Sequence, residues 1–428
     1  MERSAEFANS IANFSFHQHI LSTHFHRGGM VGLRRVVYGG CSIAFAMTTS
    51  ILGTACKSEA PANQTDAKSD VPTAIGNLAW VSSERADAPL SQIERLTVDA
   101  KQRVFAPDFK ESAVFVYGAD GVFLKKIGRK GSGPGEFDRG CCAAIDGHGR
   151  LWIKDTGNSR YVVFTVTDAG TSVDAKPAFV VPVPHSDRNW GPRLWFDAKD
   201  HMISIGHATD ANNPDKRVVK RFIADTTGQV LQTIEELPQT EDVTKPVEFR
   251  SVDGPNTSVE YLYQPFGAGA LRADGPNGTF ALAGAGKYSV RWFSPTGELL
   301  HTLVQDVSGP ELSAQDRLAG DSSLLQIARQ GHTTVAQLPF KLPERRPPLY
   351  NIFFDADGRL WVQRTTLKGQ VQNADVYATD GSLAFHAAWP AGIAIANNGF
   401  VRGHTAWGVQ LDENDVPHIV RMEFNGGR

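Results

Sequence analysis

Val98-Asp99-Ala100-Lys101-Gln102-Arg103-Val104-Phe105-Ala106-Pro107-Asp108 returns 47 residues later, without a gap, as Ile145-Asp146-Gly147-His148-Gly149-Arg150-Leu151-Trp152-Ile153-Lys154-Asp155. The register continues, so that Ser112, Val116 and Tyr117 fall on Ser159, Val163 and Phe164. Such sustained self-similarity marks a structural repeat. Each copy reads as a strand, a tight turn on Asp or Gly, a second strand ending in Asp, a polar loop and a third strand of alternating apolar residues. In the first copy Ala119-Asp120-Gly121 turns the chain into a fourth strand, Val122 to Ile127. A four-stranded meander cannot cover both its faces alone. Stacked radially, each sheet buries its faces on its neighbours, which predicts a β-propeller.

Further units follow at less regular spacing. Trp195 to Ile205, with Arg217 to Phe222 and Gly228 to Leu231, forms a third. Leu271 to Leu282, with Tyr288 to Phe293 and Gly297 to Leu300, forms a fourth, and Ile352 to Val362, with Ala374 to Tyr377 and Asp380-Gly381, a fifth. Ala406 to Asp412 and His418 to Phe424 make a last unit that ends one strand short. Asn77 to Ser82, ahead of the first repeat, has nothing local to pair with. Lent to the last sheet, it closes the ring and removes an exposed edge. The expected fold is all-β: a six-bladed β-propeller of four-stranded antiparallel blades over residues 77–428, with an N-terminal strand completing the last blade. Insertions near 238–264 and 306–348 lengthen it, and a seventh blade inside the first is the competing count.

Ile127-Gly128-Arg129-Lys130-Gly131-Ser132-Gly133-Pro134-Gly135-Glu136-Phe137, followed by Ile145-Asp146 and by Asp155-Thr156-Gly157-Asn158-Ser159-Arg160, resembles the NHL-repeat signature. Over most of residues 90–428 the chain is similar to exported six-bladed β-propeller lipoproteins related to NHL-repeat proteins. Blades one and two carry the signature, and the others keep only its outline. The resemblance implies the fold and a cell-envelope address; it supplies no reaction.

The N-terminal region points the same way. Met30 to Arg35 is short and positive, Val36 to Leu52 is largely apolar, and Gly53-Thr54-Ala55-Cys56 is small. This is the layout of an export signal at residues 30–55, with residues 1–29 upstream of the true start. The paired histidines His17, His19, His24 and His26 fall in that upstream stretch. Leu52 to Cys56 is similar to the bacterial lipobox, although the leucine stands four residues before Cys56 where three is usual. Lipidation of Cys56 is expected. An uncleaved anchor and plain secretion are the other outcomes, since about 20 apolar residues span a bilayer. Residues 56–76 read as a lipidated cysteine and flexible tether, because Lys57 to Gly76 contains no aromatic residue. Lys57 in place of an aspartate favours, by analogy, the outer membrane.

Charge adds one exclusion. With 43 basic and 46 acidic residues there is no basic excess to neutralise phosphates, so no nucleic-acid partner is expected. Gly128 to Gly135 reads as an inter-blade turn, because Pro134 stands where a phosphate-binding helix would begin. Asp108 and Asp155 read as loop-closing acceptors, with Arg160 a charge partner, ahead of a carboxylate ring for a cation. Cys141 and Cys142 leave three states open: buried thiols, a vicinal disulfide and a catalytic pair. His185, His201, His207, His332 and His404 show no metal-ligand spacing. No cofactor is predicted.

The expected function is a non-catalytic, monomeric cell-envelope lipoprotein whose propeller is a platform for an envelope protein, peptide or small ligand, held to the membrane by its lipid. The alternatives are a metal-dependent hydrolase or lyase with calcium or zinc in the channel, and a purely structural component. Binding is expected at one mouth of the propeller, where loops on a rigid scaffold carry function. The first insertion and its exit bring Arg250, Tyr261, Tyr263 and Phe266. The second contains two helix-like stretches, Glu311 to Ala319 and Ser322 to Arg329 with Asp321 as cap, and leads into Arg345, Arg346 and Tyr350. Aromatic rings and arginines supply the contacts that dominate binding energy.

Overall fold

Aspartate-built turns divide this chain into short meanders. The computed structural model describes residues 71–83, 90–166, 176–183, 194–210, 213–234, 241–253, 256–331 and 333–426. β1 (Thr73–Val81) comes first. The first sheet runs β2 (Thr97–Val98), β3 (Val104–Asp108), β4 (Ala113–Tyr117) and β5 (Phe123–Ile127), and the second β6 (Gly140–Ile145), β7 (Leu151–Asp155), β8 (Arg160–Phe164) and β9 (Phe179–Pro182). The third holds β10 (Trp195–Phe196), β11 (Met202–Asp210), β12 (Asn213–Ala224) and β13 (Val230–Ile234). After the hairpin of β14 (Val247–Asp253) and β15 (Asn256–Leu262) comes a fourth sheet of β16 (Ala270–Asp274), β17 (Phe280–Gly284), β18 (Ser289–Phe293) and β19 (Leu299–Val304). Helix α1 (Ala314–Gln330) precedes the fifth, β20 (Leu349–Phe354), β21 (Leu360–Arg364), β22 (Gln372–Tyr377) and β23 (Leu383–Trp389). In the last, β24 (Ile393–Ala394) and β25 (Phe400–Arg402) both pair with β26 (Thr405–Leu411), which pairs with β27 (Pro417–Asn425) and so with β1. The fold is a β-propeller of four-stranded antiparallel blades.

Two compact units are distinguished: Val247–Leu262 lies in one, and Ala60–Pro246 with Tyr263–Arg428 forms the other. The hairpin pairs in simple antiparallel register from Val247↔Leu262 to Asp253↔Asn256. Among the described residues the first insertion thus holds two strands, not a seventh blade.

The repeat has a local chemical cause. Asp146 Oδ1 accepts the backbone N–H groups of His148 (3.0 Å) and Arg150 (2.8 Å), while Oδ2 accepts from Arg150 Nε (2.6 Å) and Trp152 Nε1 (2.8 Å). Asp355 does the same with Asp357, Arg359 and Trp361. Asp99, Asp197 and Asp412 likewise take the N–H groups two and four residues on. One carboxylate therefore closes the turn, anchors an arginine or histidine and, in two blades, satisfies a buried indole.

Apolar clusters fill the seams between sheets. Phe105, Val114 and Ile153 join the first two, Trp152 and Met202 the second and third, and Trp292 and Phe354 the fourth and fifth. Trp361 and Phe424 join the fifth and last, and Trp407 with Val98 and Phe115 joins the last to the first. The seam between sheets three and four has a small cluster, Phe280, Leu282 and Phe293 with Ile234. There Arg221, wholly buried, lies over the Phe280 ring at 5.0 Å and 3.7 Å from Asp274.

Two boundaries differ from expectation. The tether drawn to residue 76 gives way to strand at Thr73, because Thr73–Ile75 pair in parallel with β23 while Ile75–Val81 pair antiparallel with β27. Gly76 fits there because a side chain would meet Phe424 and Trp389 at 3.0–3.1 Å. The two helix-like stretches are one helix capped by Ser313, not Asp321: Ser313 Oγ accepts the Asp316 N–H, and Asp316 returns the bond to the Ser313 N–H, both at 3.1 Å. Gly320, mid-helix, is buried where a side chain would come within 3.0 Å of Leu342 and Phe266. It permits a close approach and breaks nothing. Among the described residues no helix is long and apolar enough to cross a membrane.

Candidate ligand-binding site

The second insertion is tied down along its length. Its two flanks run together, with Leu312 N–H donating to Glu344 O (3.0 Å) and Arg346 N–H to Pro310 O (2.8 Å). Gly309 is required here, since any Cβ would strike the Arg346 carbonyl. Arg345 donates to Glu311 Oε1 (2.7 Å) and Gly309 O (3.1 Å). Arg346 grips both carboxylate oxygens of Asp316 in the first turn of α1, and its guanidinium lies 4.7 Å from the centre of the Phe266 ring. Burial opposes ionisation of Asp316, but the bonds from Arg346 and Ser313 hold its carboxyl below its usual range.

The sequence-derived residues therefore divide. Arg346 is brought against Phe266 and spent on Asp316 of α1, whereas Arg345 is spent on Glu311 and Gly309 in the flank of the insertion. Tyr263 and Tyr350 stay open to solvent, 46% and 47% exposed. Tyr263 adjoins Gln264, whose Nε2 donates to Lys341 O in the second insertion at 2.5 Å. Tyr350 is the unpaired residue of a bulge between Leu349 and Asn351, and burial of its hydroxyl raises its pKa although Arg346 pulls the other way. Tyr261, 54% exposed, belongs to the hairpin, and Arg250 lies in β14 with a side chain outside the described residues. Cys56, His185 and His332 also lie outside them, as does the side chain of His207.

Beyond Tyr350 the chain enters the channel between the inner strands. A cavity of about 30 Å³ is lined by Arg95, Arg272, Asp274, Asn351 and Asn397, with apolar walls from Ala273, Ile352 and Phe354. Arg272 is committed to Asp274 through two bonds of 3.2 Å. Asn351 accepts the Ile352 N–H and donates to Asn397 Oδ1. Arg95 has no hydrogen-bond acceptor among the described residues. Burial pushes its pKa down to about 10, against the pull of Glu94 and Asp274, so it remains a cation at neutral pH. Sequence reasoning missed both Arg95 and Asn397; neither sits in a motif.

A second unanticipated constellation lies at the seam between sheets four and five. Asp375, buried, accepts from Tyr288 Oη (2.6 Å) and from Arg364 Nε (2.9 Å) and Nη2 (2.8 Å), and lies 2.7 Å from His386 Nδ1. Tyr377 is bound to Tyr288 and to Gln305. Burial pushes the Tyr377 hydroxyl up to about 12. Every member has a partner, which makes this a polar staple between blades.

Elsewhere the chemistry is local. Asp108 accepts from the backbone N–H groups of Ser91, Gln92 and Glu111, and Asp155 from Asp138 N–H, Asn158 and Arg160. Among the described residues no group of three His, Cys, Asp or Glu side chains is placed to hold a metal ion. Cys141 and Cys142, both buried, are joined as a vicinal disulfide at a β-bulge. Opposite Cys141 in the ladder, Lys154 is so enclosed that burial pushes its amine down to about 8.

A family model described as a 6-bladed beta-propeller matches residues 84–201. No curated protein sequence matches the chain. Among solved structures, a candidate exported protein of Bacteroides fragilis is 11% identical, with TM-score 0.42, over 84% of this chain and 98% of its own. A member of the DUF4221 family from Bacteroides vulgatus is 10% identical, with TM-score 0.43, over 83% and 98%. Virginiamycin B lyase from Staphylococcus aureus is 12% identical, with TM-score 0.40, over 80% and 99%. At these identities the likeness concerns the fold alone.

Proposed function

We propose that this protein is an exported, NHL-related lipoprotein of the cell envelope, monomeric and non-catalytic, whose propeller presents a fixed binding surface to a protein, peptide or small ligand. The address rests on the export signal at residues 30–55 and on Cys56 after small residues. The binding role rests on one observation. Arg346 is consumed in fixing α1 against Phe266, while Tyr263, three residues before Phe266, and Tyr350, four after Arg346, are left about half exposed. Exposed aromatic side chains, with few rotatable bonds, give contact area at small entropic cost, as a binding surface requires.

Two experiments test this reading. Intact mass of the membrane-extracted protein is expected to show a chain beginning at lipid-bearing Cys56, and a mature chain beginning elsewhere overturns the address. For the surface, partners co-purified from native membranes are expected to be lost when Tyr263 and Tyr350 are both changed to alanine. Partners retained by that variant, or by one that also carries Arg250→Ala and Arg345→Ala, overturn the binding role.

A further inference from the structure

The channel cavity carries a charge imbalance that the fold does not resolve. Three guanidinium groups, of Arg95, Arg221 and Arg272, gather about the single carboxylate of Asp274. Arg272 takes both its oxygens, and Arg221 sits behind it, sealed in the seam with Nε and Nη2 unbonded. Glu94, the other carboxylate acting on Arg95, already accepts from Gln92 Nε2 at 3.2 Å. Three cations against two anions leave one positive charge over. The group that faces the cavity without an acceptor is Arg95.

The amides nearby are oriented consistently. Asn351 Oδ1 takes the Ile352 N–H, so its Nδ2 must point at Asn397, and Asn397 must answer with Oδ1. The Asn397 amide N–H groups are thereby turned away from Asn351, with no acceptor among the described residues. The cavity thus offers a planar cationic fork and an amide donor beside the paired Arg272 and Asp274 and the amide of Asn351, with apolar walls from Ala273, Ile352, Phe353, Phe354 and Ala396. Asn397 is exposed and can turn its N–H groups to water, so the call for an acceptor comes from the half-buried Arg95, the surplus cation of the group. A space of about 30 Å³ holds about two water-sized groups, the size of the two oxygens of a carboxylate.

We propose that the channel is an oxyanion site, in which Arg95 engages a carboxylate or phosphate group in two-pronged fashion and Asn397 donates a further hydrogen bond. Arginine is suited to this because its fork matches the spacing of such oxygens. Asn351, which lines the site, follows Tyr350 in β20, but the site does not depend on the aromatic surface binding anything.

The test is calorimetric titration of the full chain in detergent at constant ionic strength balanced with chloride. The probes are acetate, inorganic phosphate, and a short peptide ending in a free carboxylate beside its amidated form. At least one oxyanion is expected to bind at one site per chain. Arg95→Gln is expected to weaken it at least tenfold, Arg95→Lys to fall between, and Arg129→Gln, at an exposed pair remote from the channel, to leave it unchanged. Asn397→Asp keeps the oxygen that Asn351 needs but adds repulsion. It is expected to abolish binding, and gives the same reading should Arg95→Gln not fold. Acetate or phosphate binding as tightly as the peptide identifies a free anion as the ligand. A peptide acid that binds more tightly while its amide does not bind identifies the head group of a larger molecule. No binding by any oxyanion, or binding indifferent to Arg95 and Asn397, overturns the proposal whatever happens at Tyr263 and Tyr350.

Discussion

The guanidinium of Arg346 lies over the ring of Phe266, 4.7 Å from its centre, while its nitrogens hold Asp316 at the start of α1. One side chain thus joins the exits of both insertions to the helix. Stacking of this kind is worth about 0.5–2 kcal/mol. Arg346→Met keeps the aliphatic stem and removes both interactions. Amide exchange in α1 is expected to speed up about tenfold while the blades keep their protection, and unchanged exchange in the helix would show that the strap holds nothing.

The turn aspartates differ in how much they satisfy. Asp146 serves the indole of Trp152, which is wholly buried, whereas Asp412 serves an exposed turn and a partly exposed His418. Stranding a buried donor costs about 1–3 kcal/mol beyond the bond lost. Chemical denaturation is expected to show Asp146→Ala destabilised by about 2–4 kcal/mol and Asp412→Ala by about 1 kcal/mol or less. Equal losses would mean that the turn, not the indole, sets the cost.

Local chemistry of this kind made the fold readable. An aspartate bonded to the residues two and four ahead leaves its spacing in the chain wherever it occurs, so Asp99, Asp146 and Asp355 announce their blades. The converse holds in α1. Gly320 falls between the two expected helix-like stretches, yet the helix runs through it, because it serves the approach of Leu342, which no local pattern records. The start of β1 at Thr73 depends on β23, some three hundred residues away, and was equally hidden. At the candidate site, Phe266, Arg345 and Arg346 stood out as aromatic and basic residues in long loops, but their use as a strap did not. The channel draws on Arg95, Arg272, Asn351 and Asn397, from four blades, and a site assembled across a ring leaves no spacing to find.

Lys154 gives a pH signature. Its amine has a pKa of about 8 in the folded chain, pushed down by burial from the ordinary 10.5. Between these values the unfolded chain binds more protons than the folded one, so stability rises with pH across that window. Below about pH 8 both states are charged and the burial cost is constant. Thermal melts are expected to show a gain on the order of 2 kcal/mol from pH 8 to pH 10. Lys154→Met should lack it, and the same rise in that variant would assign it to another group.

β1 completes the outer edge of the last sheet through its ladder with β27. Deleting residues 77–85 removes most of that ladder, whereas deleting residues 57–70 leaves it whole. The first truncation is expected to melt well below the intact chain and the second within a degree or two of it, on the scale of a few degrees per kcal/mol for a large domain. Equal melting of the two would contradict a structural role for this strand.

Partners are expected to meet the propeller where its two insertions rejoin the blades, at Tyr263 and Tyr350. The most direct measurement is photo-crosslinking in the source organism, with the reactive group placed in turn at Tyr263, at Tyr350 and, as outer-strand control, at Lys125. Discrete adducts from Tyr263 and Tyr350 and none from Lys125 are predicted. Adducts from Lys125 alone, or none from either tyrosine in protein shown to be exported and folded, would contradict the account.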